Sequence, residues 1–184
     1  MARTLILLRH AKSAWPDGVP DHDRPLGPRG RRDAPAAGRW LRLAGYVPDH
    51  VVCSTARRAR ETWQLAATEL GVQPLVRFEP EVYGAAAAGL LELIRLLSPA
   101  ARTVIVVGHD PALPEVALAL TGEQRATSSP VPAAIDRLRD KFPTAAIAVL
   151  DFSGRWSALR PGSARLAAFV TPREMEQGYA GKTG

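Results

Sequence analysis

The sequence predicts an α/β fold, a three-layer αβα sandwich with a mostly parallel central sheet and an antiparallel edge. Three observations predict it. Short apolar runs of strand length alternate with longer stretches whose apolar residues recur at helical spacing. The final third drops that alternation and carries a hairpin-like pair of apolar runs. Polar residues follow directly on three of the earlier runs, as they do at the ligand-binding edge of open α/β sheets.

The elements follow in order. Thr4–Leu8 is apolar throughout after its threonine and reads as a buried strand. Pro16–Pro28, rich in Pro, Gly and Asp, reads as a loop. Gly30–Leu43 places Ala34, Ala37, Trp40 and Leu41 on one stripe, which predicts a helix ended by Gly45 and Pro48. His50–Cys53 is the second strand, and Ala56–Leu70 the second helix, stopped by Gly71. Leu75–Phe78 is a short strand, and Gly89–Leu97 a short helix before Pro99. Thr103–Val107 is the strongest strand signal, and Pro111–Leu120 a helix with proline in its first turn. Ser128–Pro132 reads as a loop. Ala145–Phe152 and Trp156–Leu159 read as a hairpin turned at Ser153-Gly154-Arg155, and Arg165–Thr171 as the last strand. The expected organisation is one domain over residues 1–171 and a loose tail over residues 172–184.

The bulk numbers agree with one domain. The 184 residues are 46% hydrophobic, enough for a core. The early apolar run Leu5–Leu8 is far shorter than a membrane span, so a cytoplasmic protein without membrane contact is expected. The single cysteine, Cys53, excludes an intramolecular disulfide and reads as a small buried hydrophobe. The formal charge is +6, carried almost wholly by scattered arginines. It reads as a solvated surface plus an anion site, not as a nucleic-acid surface.

The chemistry gathers behind three strands. The first ends in Arg9-His10, the second in Ser54 with Arg57 and Arg58 just beyond, and the strand Thr103–Val107 in Gly108-His109-Asp110-Pro111. If these strands are parallel, two histidines and at least two arginines converge on one crevice. Phosphate is the natural anion for such a crevice. A neutral imidazole can attack phosphorus, guanidinium groups can grip the equatorial oxygens, and a second, protonated histidine can donate to them. The arginines supply the positive charge, so neither a metal nor a cofactor is expected.

At these residues the chain resembles the histidine phosphatase superfamily, which also includes phosphoglycerate mutases. Arg9-His10-Ala11-Lys12-Ser13-Ala14-Trp15 resembles its RHGESxW opening, and Pro25-Leu26-Gly27-Pro28-Arg29-Gly30 its PLTxxG segment. Ser54–Thr62 matches SxxxRAxxT, and Gly108-His109-Asp110-Pro111 resembles GHNP. The matches come in the family's order over roughly residues 3–115. RHAKS, Asp23-Arg24-Pro25-Leu26 and Pro143-Thr144-Ala145 further resemble the SixA-type phosphohistidine phosphatases.

The resemblance implies that His10 takes the phosphoryl group, with Arg9, Arg58 and His109 around it. Arg58 is preferred over Arg57 by the RA register alone, and Arg57 stays open as a bystander or a second clamp. Ser13 is expected near the phosphate or in a turn. Trp15 reads as a rim or core residue, and His22 and His50 as surface residues. Pro16 stands where asparagine is frequent, Gly27 where threonine is usual, and Asp110 where asparagine is usual. Many members carry a glutamate that protonates the leaving group. Here Glu79 and Glu81 lie in the corresponding segment without a motif, so Glu81 is a candidate acid or a surface residue. The expected substrate is a phosphorylated protein, above all a phosphohistidine, or a small phosphorylated metabolite. A mutase fits less well, and a phosphate-binding module without activity is the third reading.

Overall fold

The computed structural model describes residues 1–122 and 131–180. Its sheet has six strands in the order β3-β2-β4-β1-β5-β6. They are β1 (Ala2–Arg9), β2 (His50–Ser54), β3 (Leu75–Glu79), β4 (Thr103–Gly108), β5 (Ile147–Ser153) and β6 (Arg165–Val170). The pairs β1–β4, β4–β2 and β2–β3 are parallel, while β1–β5 and β5–β6 are antiparallel. The helices are α1 (Pro28–Leu43), α2 (Arg57–Leu70), α3 (Ala87–Arg95), α4 (Ala112–Thr121), α5 (Val131–Asp140) and α6 (Pro172–Ala180). The stretch between β3 and β4 is taken up by a 3-10 turn at Pro80–Val82 and by α3.

Alternation along the strands creates the layers. Leu5 and Leu7 of β1 join Val104 and Val106 of β4 under α3, α4 and α5. Ile6 and Leu8 join Ile105 and Val107 under α1 and α2, with Met175 of α6 closing the same face. The fold is therefore the αβα sandwich with an antiparallel edge. Parallel β1, β2 and β4 end on one side, which brings Arg9-His10, Ser54 and Gly108-His109 to a common edge.

Three local expectations are corrected in the last third. Trp156–Ala158 is a 3-10 turn, not a strand, and β5 pairs with β6 instead. The reason is the indole, which is buried and donates from Nε1 to Ala101 O at 3.0 Å. The loop expected at Ser128–Pro132 lies outside the described residues up to position 130, and residues 131 and 132 already begin α5. Pro132 falls in the first turn, where a missing N–H costs nothing. The segment from Pro172 is not loose as far as Ala180, because α6 forms there. Glu174 Oε2 accepts from Thr171 N at 2.8 Å and so caps the helix start, and Met175 is buried. Residues 181–184 lie outside the described residues.

Close helix packing depends on glycine at two positions. A Cβ on Gly30 would stand 2.2 Å from Lys12 O, so only glycine lets α1 back onto the loop after β1. A Cβ on Gly38 would stand 2.1 Å from Ala66 O, where α1 crosses α2. Helix propensity favours alanine over glycine by about 1 kcal/mol. The obstacle at Gly38 is backbone, which cannot swing aside, so Gly38→Ala is expected to destabilise the fold by about 1–3 kcal/mol. Thermal denaturation followed by circular dichroism checks it, and an unchanged or raised midpoint would refute it.

Candidate active site

The end of β1 delivers His10, and the backbone around it is tied from several sides. His10 N donates to Gly108 O at 3.0 Å. Ala145 N donates to both Arg9 O and His10 O at 3.1 Å, with Ala145 held at a left-handed φ of 61°. Ala11 N donates to Thr62 Oγ1 at 2.9 Å, and that hydroxyl donates to Arg58 O at 2.6 Å. Thr62, the last residue of the SxxxRAxxT match, thereby couples the His10 loop to α2.

The tautomer of His10 follows from its partners. Nδ1 lies 2.8 Å from Ala11 O, a carbonyl that can only accept, so Nδ1 carries the proton. Nε2 then holds the lone pair, and Arg58 Nε donates toward it at 3.3 Å. Burial pushes His10 down from 6.5 to about 3, aided by His109, Arg58 and Arg9 and opposed by the Ala11 carbonyl. His10 is therefore a neutral imidazole at physiological pH with Nε2 presented to the pocket.

His109, at the end of β4, packs its ring 5.1 Å from that of His10. Its Nε2 lies 2.7 Å from Ser54 Oγ, which itself accepts from Ala56 N at 3.2 Å. Burial, with Arg58, Arg9 and His22, brings His109 down to about 4, while Asp21 opposes the shift. The expectation of a protonated second histidine is thus corrected: at pH 7 the fold holds His109 neutral. A bound phosphate dianion would raise it by supplying negative charge.

The arginines divide into those that reach the pocket and one that does not. Arg58 is buried, and its Nη1 and Nη2 donate to Asp21 O at 2.6 Å and Asp21 Oδ2 at 3.0 Å. Arg9 donates from Nη1 to Phe142 O at 2.5 Å, and its Nη2 lies 3.8 Å from Asp110 Oδ2. Burial lowers the pKa of Arg9 and Asp110 partly restores it. Asp110 lines a neighbouring groove with Arg9, so its charge meets Arg9 from outside the His10 pocket. Arg57 instead turns to Glu61, with Nε 2.7 Å from Oε1, and lines a separate depression with His22, Thr55 and Gln64.

The His10 pocket is a cavity of about 180 Å³ lined by Arg9, His10, Lys12, Ser13, Trp15, Arg24, Arg58 and Thr144. Ser13 is there, buried and accepting from Arg24 Nη2 at 2.5 Å. The Arg24 guanidinium lies over the ring of Trp15, which is 73% exposed and so belongs to the rim. Glu81 is exposed in the 3-10 turn after β3 and does not line this pocket. From the same segment it is Tyr83 that reaches the site, its ring nearly perpendicular to those of His109 and His22 at centroid distances of 5.6 and 4.9 Å. Tyr83 OH donates to Asp21 Oδ2 at 2.8 Å. His22, expected as a plain surface residue, packs against Tyr83 and lies 3.0 Å from Thr55 Oγ1 through Nε2.

Asp21, Arg24 and Tyr83 are residues of the site beyond those that the motifs mark. Arg24 could have been found, since it stands in the Asp23-Arg24-Pro25-Leu26 segment. Asp21 and Tyr83 lie in a loop and a turn that carry no motif of their own.

A pH prediction follows for the two histidines. Unfolded histidine titrates near 6.5, whereas His10 and His109 resist protonation down to about 3 and about 4. Between those limits the unfolded chain binds protons that the native chain refuses, so stability falls as pH drops through this window. Imidazole NMR should show both rings neutral at pH 5. A normal titration of His10 near 6.5 would contradict the buried geometry.

The family model of the histidine phosphatase superfamily (branch 1) matches residues 5–81. An uncharacterised protein of Mycobacterium tuberculosis is 46% identical over 167 residues, spanning 90% of this chain and 100% of that protein. A structure from Nakamurella multipartitia assigned as a phosphohistidine phosphatase SixA superposes with a TM-score of 0.81 at 39% identity. It covers 94% of this chain and 97% of its own. A second such assignment, from Agrobacterium tumefaciens, gives a TM-score of 0.76 at 30% identity over 92% of this chain and 98% of that one.

Proposed function

The chain belongs to the histidine phosphatase superfamily, in its SixA type, and is a phosphatase; from that premise we propose that it hydrolyses phosphohistidine on a protein, without a metal. His10 Nε2 attacks phosphorus in line, Arg9 and Arg58 hold the equatorial oxygens, and His109 donates to one of them once the dianion has raised its pKa. The phosphoryl group then passes from His10 to water. Lys12 and Arg24 complete the positive wall of the pocket, with the Ser13 hydroxyl held beside them by Arg24.

The observation that carries the substrate reading is that the pocket lining contains no carboxyl group among the described residues, while the carboxylate beside it, Asp21, is held ionised by Arg24, Arg58 and Tyr83 and has no proton to give. An alkyl ester expels an alkoxide and needs a proton from the enzyme. A phosphohistidine can carry that proton on its own ring and depart as neutral imidazole. The stretch between β3 and β4 is also taken up by a turn and α3, which leaves little chain there to form a lid. A protein-borne side chain can reach such a site.

The test compares kcat/KM on a phosphohistidine peptide, an aryl phosphate and a sugar phosphate, in wild type and in Glu81→Gln. The expected order places the phosphohistidine peptide first and the sugar phosphate last, with Glu81→Gln indistinguishable from wild type. Strong sugar-phosphate turnover that vanishes in Glu81→Gln would make Glu81 the acid and the enzyme a metabolite phosphatase.

No helix among the described residues is long and apolar enough to cross a membrane.

A further inference from the structure

We propose that Asp21 sets the leaving-group preference of this site, as a fixed anion that receives the protonated imidazole ring of the substrate and disfavours groups that depart as anions. The inference rests on the phosphohistidine reading above and names the residue that enforces it.

The placement of Arg58 carries the argument. Its Nε lies 3.3 Å from His10 Nε2, and its Nη2 lies 3.0 Å from Asp21 Oδ2. Arg58 therefore stands between the nucleophile and the carboxylate, and Asp21 marks its far end. In-line attack puts the leaving group on the side of phosphorus away from the attacking nitrogen. A phosphoryl group gripped along Arg58 directs its leaving group toward the Asp21 end. The side chain of Asp21 is 49% exposed there, while those of Arg58 and Arg24 behind it are buried.

Asp21 is built to be an anion, not an acid. Tyr83 OH, Arg24 Nη1 and Arg58 Nη2 all donate to its carboxylate, at 2.8, 2.8 and 3.0 Å. These donors hold it well below the usual carboxylate range. A carboxylate offers about four acceptor positions, so capacity remains for an N–H of the substrate.

The chemistry balances without a proton from the enzyme. The substrate ring carries a proton on the nitrogen that is not phosphorylated. The His10 Nε2–P bond forms as the P–N bond breaks, and the electron pair of that bond goes to the departing nitrogen. The ring leaves neutral, keeping its proton. An opposite charge within about 4–6 Å shifts a titrating group by about 1–3 pH units toward its charged form. Asp21 thus favours the imidazolium needed for departure by about tenfold or more. An aryl phosphate departs as phenolate, which the same carboxylate repels.

The experiment measures kcat/KM on a phosphohistidine peptide and on an aryl phosphate for wild type, Asp21→Asn and Asp21→Glu. Asp21→Asn should lose about tenfold or more on the peptide and stay level or rise on the aryl phosphate. Asp21→Glu, which keeps the charge, should recover part of the peptide activity. Equal losses on both substrates would mean that Asp21 only positions Arg58, and no loss on either would mean that it does neither; each overturns the inference alone. A wild-type enzyme that leaves the peptide intact overturns the substrate reading and this inference together, before any variant is compared.

Discussion

Replacing His10 by alanine is expected to abolish turnover, with a loss on the order of ten-thousandfold or more, as for removal of other covalent nucleophiles. The structure gives the reason in detail. Nδ1 is committed to Ala11 O, so the lone pair is confined to Nε2, and burial keeps it unprotonated. No other described side chain presents a neutral nitrogen to Arg58 in this way, since His109 Nε2 is engaged with Ser54 Oγ. Quenching wild type in base with labelled substrate should trap a phosphoryl group on His10 that is base-stable and acid-labile. The label should be absent in His10→Ala. A fully active His10→Ala enzyme would end the covalent mechanism.

Arg58→Ala should be the second most damaging change, lowering kcat by about a hundredfold or more while moving KM far less. Arg58 is the donor closest to the nucleophile and is only 7% exposed, so its position is preorganised before phosphate arrives. Its guanidinium meets the charge that develops in the transition state rather than the ground state. Arg57→Ala should change either constant by no more than about threefold, because an exposed ion pair such as Arg57–Glu61 contributes little. Steady-state kinetics of the two variants on an aryl phosphate decide the matter. A crippled Arg57→Ala beside a normal Arg58→Ala would move the catalytic arginine by one position.

The one-residue register between Arg57 and Arg58 illustrates what a motif can and cannot do. The RA spacing pointed to Arg58, and helix geometry explains why it must be one or the other. Successive residues on α2 face directions about 100° apart, so one arginine meets the sheet edge while its neighbour meets solvent. Glu81 illustrates the opposite case. Its segment can be located from the sequence, but around the 3-10 turn Glu81 is left in solvent while Tyr83, itself exposed at the rim, reaches Asp21 and His109. Local sequence has no period there from which to read direction.

The sequence by itself determined the layered α/β fold, the strand ends that bear Arg9, His10, Ser54 and His109, and the family. Those features depend on short-range periodicity and on side chains placed directly after strands, where the chain has little freedom. Only the tertiary structure decided which nitrogen of His10 is free, that His109 is held neutral, and that Asp21 joins Arg24, Arg58 and Tyr83. It also decided that Trp156 turns inward and that Pro172–Ala180 closes the sheet as a helix. Most of these depend on partners far away in the chain, such as Ala101 for Trp156 and Tyr83 for Asp21, and the His10 tautomer depends on how the packed loop turns the neighbouring Ala11 carbonyl. Burial and hydrogen bonding between such partners exist only once the layers have packed, and local spacing carries no record of them.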